Sequence, residues 1–209
     1  MNANSILIFF TASIVLILTP GPDMIYVLTR GISNGQKAGV ISAIGVLCGL
    51  FIHTFLIACG LGYIVSTSLV LYTIIKYAGI MYLIYLGVKS VFTKGKFSPN
   101  IDCSNIATKK LFINGLLSDL LNPKIILFFV AFLPQFVNPN KGNESLQLIS
   151  FGLFYIGLTA IVLITMGLYS GKIGSWMMRK KVIAKYMNKI AGSIMISLGI
   201  GLVFSKRRV

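Results

Sequence analysis

The sequence predicts an all-α integral membrane protein, with six transmembrane helices arranged as two inverted three-helix repeats and with the first and fourth helices broken. Three observations lead there. Hydrophobic residues make up 56% of the chain, mean hydropathy is +0.88, and only 11% of residues are charged. A soluble globule would carry roughly a quarter charged residues to coat its surface. Six segments approach the roughly 20 apolar residues that a helix needs to cross a bilayer. Finally, Thr19-Pro20-Gly21-Pro22-Asp23 interrupts the first segment and Asn122-Pro123-Lys124 interrupts the fourth. Proline and glycine free backbone groups that hydrocarbon cannot satisfy, so such breaks survive at membrane depth only where they line a protein-enclosed cavity.

The first span, 5–28, is apolar on both sides of its break. Residues 1–18 lack the basic start and small-residue cleavage site of a signal peptide, and the apolar pattern resumes at Met24, so the segment is expected to stay. The second span, 38–65, holds Gly39, Gly45 and Gly49 and continues the interval set by Gly31 and Gly35. Small residues at this spacing let helices approach closely, and the series is expected to serve packing. The third span, 69–91, carries Lys76 and Lys89, which read as side chains snorkelling to the headgroups. The fourth, 111–136, contains the second break. The fifth, 148–169, is uninterrupted, and the sixth, 189–204, is short for a crossing.

Three spans per half is an odd number, so a duplicated unit must insert upside down the second time. Residues 1–94 and 111–209 are the expected halves. The stretch 95–110, where Ser, Pro, Asn and Asp replace the apolar run, is the linker.

Net charge is +15. The basic residues gather after the first, third and fifth spans, as Arg30 and Lys37, then Lys89, Lys94, Lys96, Lys109 and Lys110, then Lys172, Arg179, Lys180, Lys181, Lys185 and Lys189, while the opposite face holds Lys141. The positive-inside rule places these connections in the cytoplasm and both termini outside, with the tail Lys206, Arg207 and Arg208 against the trend. Charge held in short loops meets anionic lipid and not nucleic acid. Cys48, Cys59 and Cys103 form no Cys-x-x-Cys pair, which argues against redox work. His53 is the lone histidine, without acid or thiol at ligand spacing, so no metal is expected. As an ionisable group within a span it is a candidate for lining a pathway.

An aspartate near a helix centre costs on the order of 2.5 to 3.5 kcal/mol. Two of the four acids, Asp23 and Asp119, nonetheless stand inside spans. Asp23 can cap the half-helix starting at Met24 or serve transport directly. Asp119, one turn before the second break, can partner Lys124 or Asn122 or meet a solute. Asp23 follows Pro22 as Lys124 follows Pro123, so an inverted repeat brings opposite charges to one cavity near the midplane. Corresponding breaks of this kind point to the solute site of a secondary transporter.

These breaks, the glycine series, the stretch from Lys76 to Gly87, and Asn122-Pro123-Lys124 followed by Leu133-Pro134-Gln135-Phe136 resemble the LysE/RhtB family of amino-acid exporters over nearly the whole chain. The resemblance implies amino-acid efflux across the bacterial inner membrane, in the homoserine, threonine or leucine branch. It also implies inverted three-helix halves whose proline breaks face each other. The family places Asp, Asn or Gly after the second proline of its first motif, which makes Asp23 a subgroup feature.

A transported amino-acid zwitterion needs donors for its carboxylate and an acceptor for its ammonium. Amides at the half-helix start near Gly21 and Met24, together with Lys124, supply donors. Asp23 and carbonyls near Thr19 and Leu121 supply acceptors. Pro20, Gly21, Pro22, Asn122 and Pro123 shape the site, and Asp119 and His53 complete the candidate set. The chain contains no Walker A motif, so the gradient of an ion or of the solute must drive transport, with H+ exchanged through Asp23 as the expected coupling. No cofactor is expected, and a homo-oligomer is left open. The alternatives are a cation exporter on a related fold, for which Lys124 is electrostatically awkward, and a membrane redox carrier, for which the thiol pair is missing.

Overall fold

The computed structural model describes residues 3–67, 69–92, 106–138 and 142–173, with single helical positions between 189 and 203. Among the described residues the protein is entirely helical. Helix α1 (Ala3–Leu18) and α2 (Pro22–Asn34) form the first broken pair, and α3 (Gln36–Thr67) and α4 (Leu69–Phe92) follow. Helix α5 (Thr108–Leu120) and α6 (Pro123–Leu127) form the second pair, continued by a π turn at Phe128–Phe132 and a 3-10 turn at Leu133–Phe136. Helix α7 (Glu144–Leu168) closes the described bundle. The expected linker lies mostly outside the described residues, as do the basic stretch after α7, most of the sixth span and the tail.

Each break bends its pair by 47°. Pro22 and Pro123 both stand at the first position of the helix that restarts, where the missing N–H is no loss and the fixed φ favours the turn. Helices α3 and α7 are each long and apolar enough to cross a membrane, and each bent pair passes the same test if counted as one span. Helix α2 runs six residues past the expected end of the first span. It stops at Gly35, whose φ of 88° lies in the left-handed region that glycine adopts at helix ends.

Helix α3 is the hub, packed most extensively against α7 and α5. Glycine makes these seams possible. A Cβ on Gly45 would strike the Phe112 carbonyl, one on Gly115 would strike the Ser42 carbonyl, and Gly39 and Gly167 leave no room for a Cβ between α3 and α7. Gly31, Gly39, Gly45 and Gly49 of the series thus serve close packing, whereas Gly35 serves the helix end and meets nothing within 4 Å. On the other side, Gly87 of α4 lies against Gly192 and Ile196.

Two apolar clusters fill the interior. One joins α1, α6, the π turn and α7 through packed rings, with the Phe9 centroid 4.7 Å from that of Phe151 and the Phe128 centroid 4.3 Å from that of Tyr155, both pairs tilted. The other joins Met24, Val27 and Leu28 of α2 to Ala43, Val46 and Leu163. Outward-facing residues such as Phe55, Leu56, Met81 and Ile161 are large and apolar, as a lipid-facing surface requires. Lys89 is exposed and lies 5.9 Å over the Tyr85 ring, as expected of a snorkelling end-of-span lysine; the Lys76 side chain is outside the described set.

Candidate functional site

The two breaks face each other and are tied together by four hydrogen bonds. Restarting α2 at Pro22 sets Asp23 in its first turn, pointing at the second broken pair. Its carboxylate accepts from Ser118 Oγ at 3.1 Å and from Asn122 Nδ2 at 2.6 Å. Asn122 has a second task, because its Oδ1 accepts from the Lys124 amide at 3.1 Å and so caps α6. Lys124 reaches the opposite way. Its ammonium donates to the carbonyls of Leu16 and Thr19, both at 3.1 Å, which are freed where α1 ends. Each break therefore holds the charge that belongs to the other.

Asp23 and Lys124 line one cavity, together with Asp119, Tyr155 and Thr159 among the polar residues, where the two apolar clusters meet. Two opposite charges, Asp23 and Lys124, thus share the wall of one cavity. Among the described residues, however, the two do not form a salt bridge, because each is already engaged by hydrogen bonds across the breaks. The cavity measures about 20 Å3, close to the room one water needs.

Gly21 is where Lys124 passes, since a Cβ there would lie 3.0 Å from Nζ. Pro20, Pro22 and Pro123 contribute backbone shape and not cavity wall. Asp119 is fully buried, and among the described residues both of its carboxylate oxygens lack a hydrogen-bond partner. It bonds neither Lys124 nor Asn122 through that group; its nearest ionic neighbour is His53 Nε2 at 3.7 Å. Gly49 leaves the space that the Asp119 carboxylate occupies. His53 sits behind Asp119, its ring stacked on Phe129 at 5.7 Å, and does not line the cavity. Among the described residues no group of His, Cys, Asp and Glu could hold a metal ion.

Sequence reasoning did not identify Ser118, Tyr155 or Thr159. Ser118 could have been found as a polar residue of the last turn of α5, four positions before Asn122. Tyr155 and Thr159 sit one turn apart in an unbroken apolar helix and carry no local mark.

An apolar helical bundle whose broken helices enclose a small charged cavity is a multi-pass membrane protein of the solute-moving kind. The chain belongs to the LysE type translocator family, whose profile matches residues 14–206. The family is one of translocators. The chain is 34% identical over 206 residues to an uncharacterized membrane protein, YrhP, of Bacillus subtilis (strain 168), covering 94% of this chain and 97% of that relative. It is 31% identical over 191 residues to the homoserine/homoserine lactone efflux protein of Salmonella typhimurium, covering 91% of this chain and 92% of the relative. An uncharacterized membrane protein of Vibrio cholerae is 27% identical over 206 residues, covering 99% of this chain and all of that relative. No solved structure matches the chain.

Proposed function

We propose that this protein is a secondary transporter that exports amino acids of the homoserine, threonine or leucine type by alternating access, in exchange for protons. The observation that carries this reading is the set of charges around one cavity, where Asp23 and Asp119 stand with Lys124 at the meeting of two broken helices. A zwitterion taken out of water needs an acceptor at one end and a donor at the other. Asp23 is set to take the ammonium, and Lys124 with the carbonyl-rich break is set to take the carboxylate. The Salmonella relative's name, homoserine/homoserine lactone efflux protein, supports the solute class. Lys124 in the wall disfavours a bare cation as cargo.

Residues 1–94 and 111–209 are the proposed inverted halves, with the cytoplasmic linker 95–110 between them. The equal bends and the crossed bonding of the breaks support that symmetry. A cavity of about 20 Å3 is too small for an amino acid, so loading requires the halves to separate at the breaks. Proton exchange belongs to the acids of the cavity. Asp23 also holds the fold together, whereas the carboxylate of Asp119 has no donor to leave.

The test is uptake into everted membrane vesicles of labelled homoserine, threonine, leucine, lysine and a divalent cation, with and without a protonophore. Protonophore-sensitive uptake of the first three is expected. Uptake of the cation alone, or of no amino acid, would sink the reading.

A further inference from the structure

A second cavity, of about 400 Å3, opens at the end of the bundle that carries the α2–α3 connection. Its wall includes Ser33, Asn34 and Lys37 on one side and Thr108 and Leu111 of α5 on the other. The positive-inside rule assigns this end to the cytoplasm, where an exported solute must load.

Between this vestibule and the central site runs one face of α2. Asp23, Arg30 and Asn34 are spaced by seven and eleven residues from the first, so they share a stripe, with Arg30 roughly 10 Å from Asp23 along the axis. Helix α5 faces it with the same period. Thr108 and Leu111 line the vestibule, and Ser118, seven residues beyond Leu111, bonds Asp23. Midway, Tyr26 donates to the Leu111 carbonyl at 3.1 Å and closes the gap between the helices.

Arg30 lies at this closure, with its guanidinium 5.6 Å from the Tyr26 ring centroid. Its Nε and Nη1 are buried and, among the described residues, have no hydrogen-bond acceptor. Among the described residues no carboxylate reaches it. Guanidinium donors in such a position are normally matched by a carboxylate or phosphate, and their planar fork suits two oxygens at once. An anion beside them would supply the acceptors that these donors lack among the described residues.

We propose that Arg30 is a carboxylate-binding station between the cytoplasmic vestibule and the central cavity, taking the α-carboxylate of the incoming amino acid before Lys124 does. This rests on the amino-acid reading above. It implies a sequence of events in which the solute enters past Lys37, docks on Arg30, and passes Tyr26 as the hydrogen bond to Leu111 opens.

Homoserine and homoserine lactone separate the idea from its rivals, because the lactone keeps the ammonium and has no free carboxylate. In everted vesicles, Arg30→Gln should raise the ratio of the KM for homoserine to the KM for the lactone roughly tenfold or more, as expected for a lost charge-assisted hydrogen bond. Arg30→Lys, which keeps the charge without the fork, should recover part of that ratio. A change shared equally by both solutes, or no change, overturns the station. If vesicles rich in phosphatidylglycerol and vesicles without it differ in the effect, Arg30 serves lipid headgroups and the proposal fails. Asp102 lies outside the described residues; if Asp102→Asn reproduces the Arg30→Gln ratio, an internal ion pair replaces the station.

Should the wild type move neither solute, the amino-acid reading falls, and Arg30 is judged without transport. Phenylglyoxal modification of Arg30 in the purified protein, read by mass spectrometry, should then be slowed by homoserine or propionate and not by the lactone. Equal modification in all cases overturns the station.

Discussion

At the scale of single residues, Asn122 is the joint of the site, since one side chain caps α6 and holds Asp23. Losing the cap costs about 1 kcal/mol, and losing a hydrogen bond to a charged group costs about 1.5 to 3 kcal/mol. We expect Asn122→Ala to lower the melting point in detergent accordingly. A double-mutant cycle should show Asn122→Ala coupled to Asp23→Asn more strongly than Lys124→Gln is, because Asp23 touches Asn122 and not Lys124. Equal couplings would mean that the two charges interact directly. The two acids should also part ways. Asp23→Asn should reach the membrane and lose export altogether, whereas Asp119→Asn should keep solute exchange and lose its dependence on the proton gradient. Gradient-driven export by Asp119→Asn would return the coupling role to Asp23 alone.

At the scale of elements, the α3 seams respond to a single methyl group. Gly49→Ala would drive a Cβ into the Asp119 carboxylate, and Gly115→Ala would drive one into the Ser42 carbonyl. Each should destabilise by about 1 to 3 kcal/mol, the usual cost of overpacking. Gly157→Ala on the outer face of α7 meets nothing within 4 Å. It should be neutral or stabilise by about 0.5 to 1 kcal/mol through the gain in helix propensity. Thermal melts of the three variants in one detergent decide the matter, and a loss at Gly157 equal to that at Gly115 would refute the seam. The breaks were legible because Pro20, Pro22 and Pro123 leave no other local outcome, and the spans because apolar length is a one-dimensional signal. What lay hidden depended on partners distant in sequence. Asn122 reaches Asp23 across a sequence separation of 99 residues, and Tyr155 joins the cavity where α7 crosses α3 at Gly152, with Thr54 filling the space beside the missing Cβ. The π turn at Phe128–Phe132 was equally hidden. It precedes Pro134, whose missing N–H disturbs the helical ladder one turn back.

At the scale of the whole molecule, the asymmetry of lysine and arginine between the two faces predicts the orientation. A variant with Cys103 as its only cysteine should react with a membrane-impermeant maleimide in everted vesicles and stay unlabelled in intact cells. Labelling from outside would invert the topology, and the vestibule with Lys37 would then be an exit.

The crossed holding of charges between the breaks also bears on what the protein does when idle. Each broken helix pair grips the other's ion, so opening between them by thermal motion alone must strand a carboxylate and an ammonium at the same moment. A zwitterion removes that barrier by replacing both partners, whereas a simple amine or a simple acid replaces one and leaves the other grip closed. Discrimination would then reside in the rate of opening more than in affinity, and the resting protein would not let protons slip through unaccompanied. Proteoliposomes carrying an imposed pH gradient and no solute should hold it as long as protein-free vesicles do, and those made with Asn122→Ala should drain it faster.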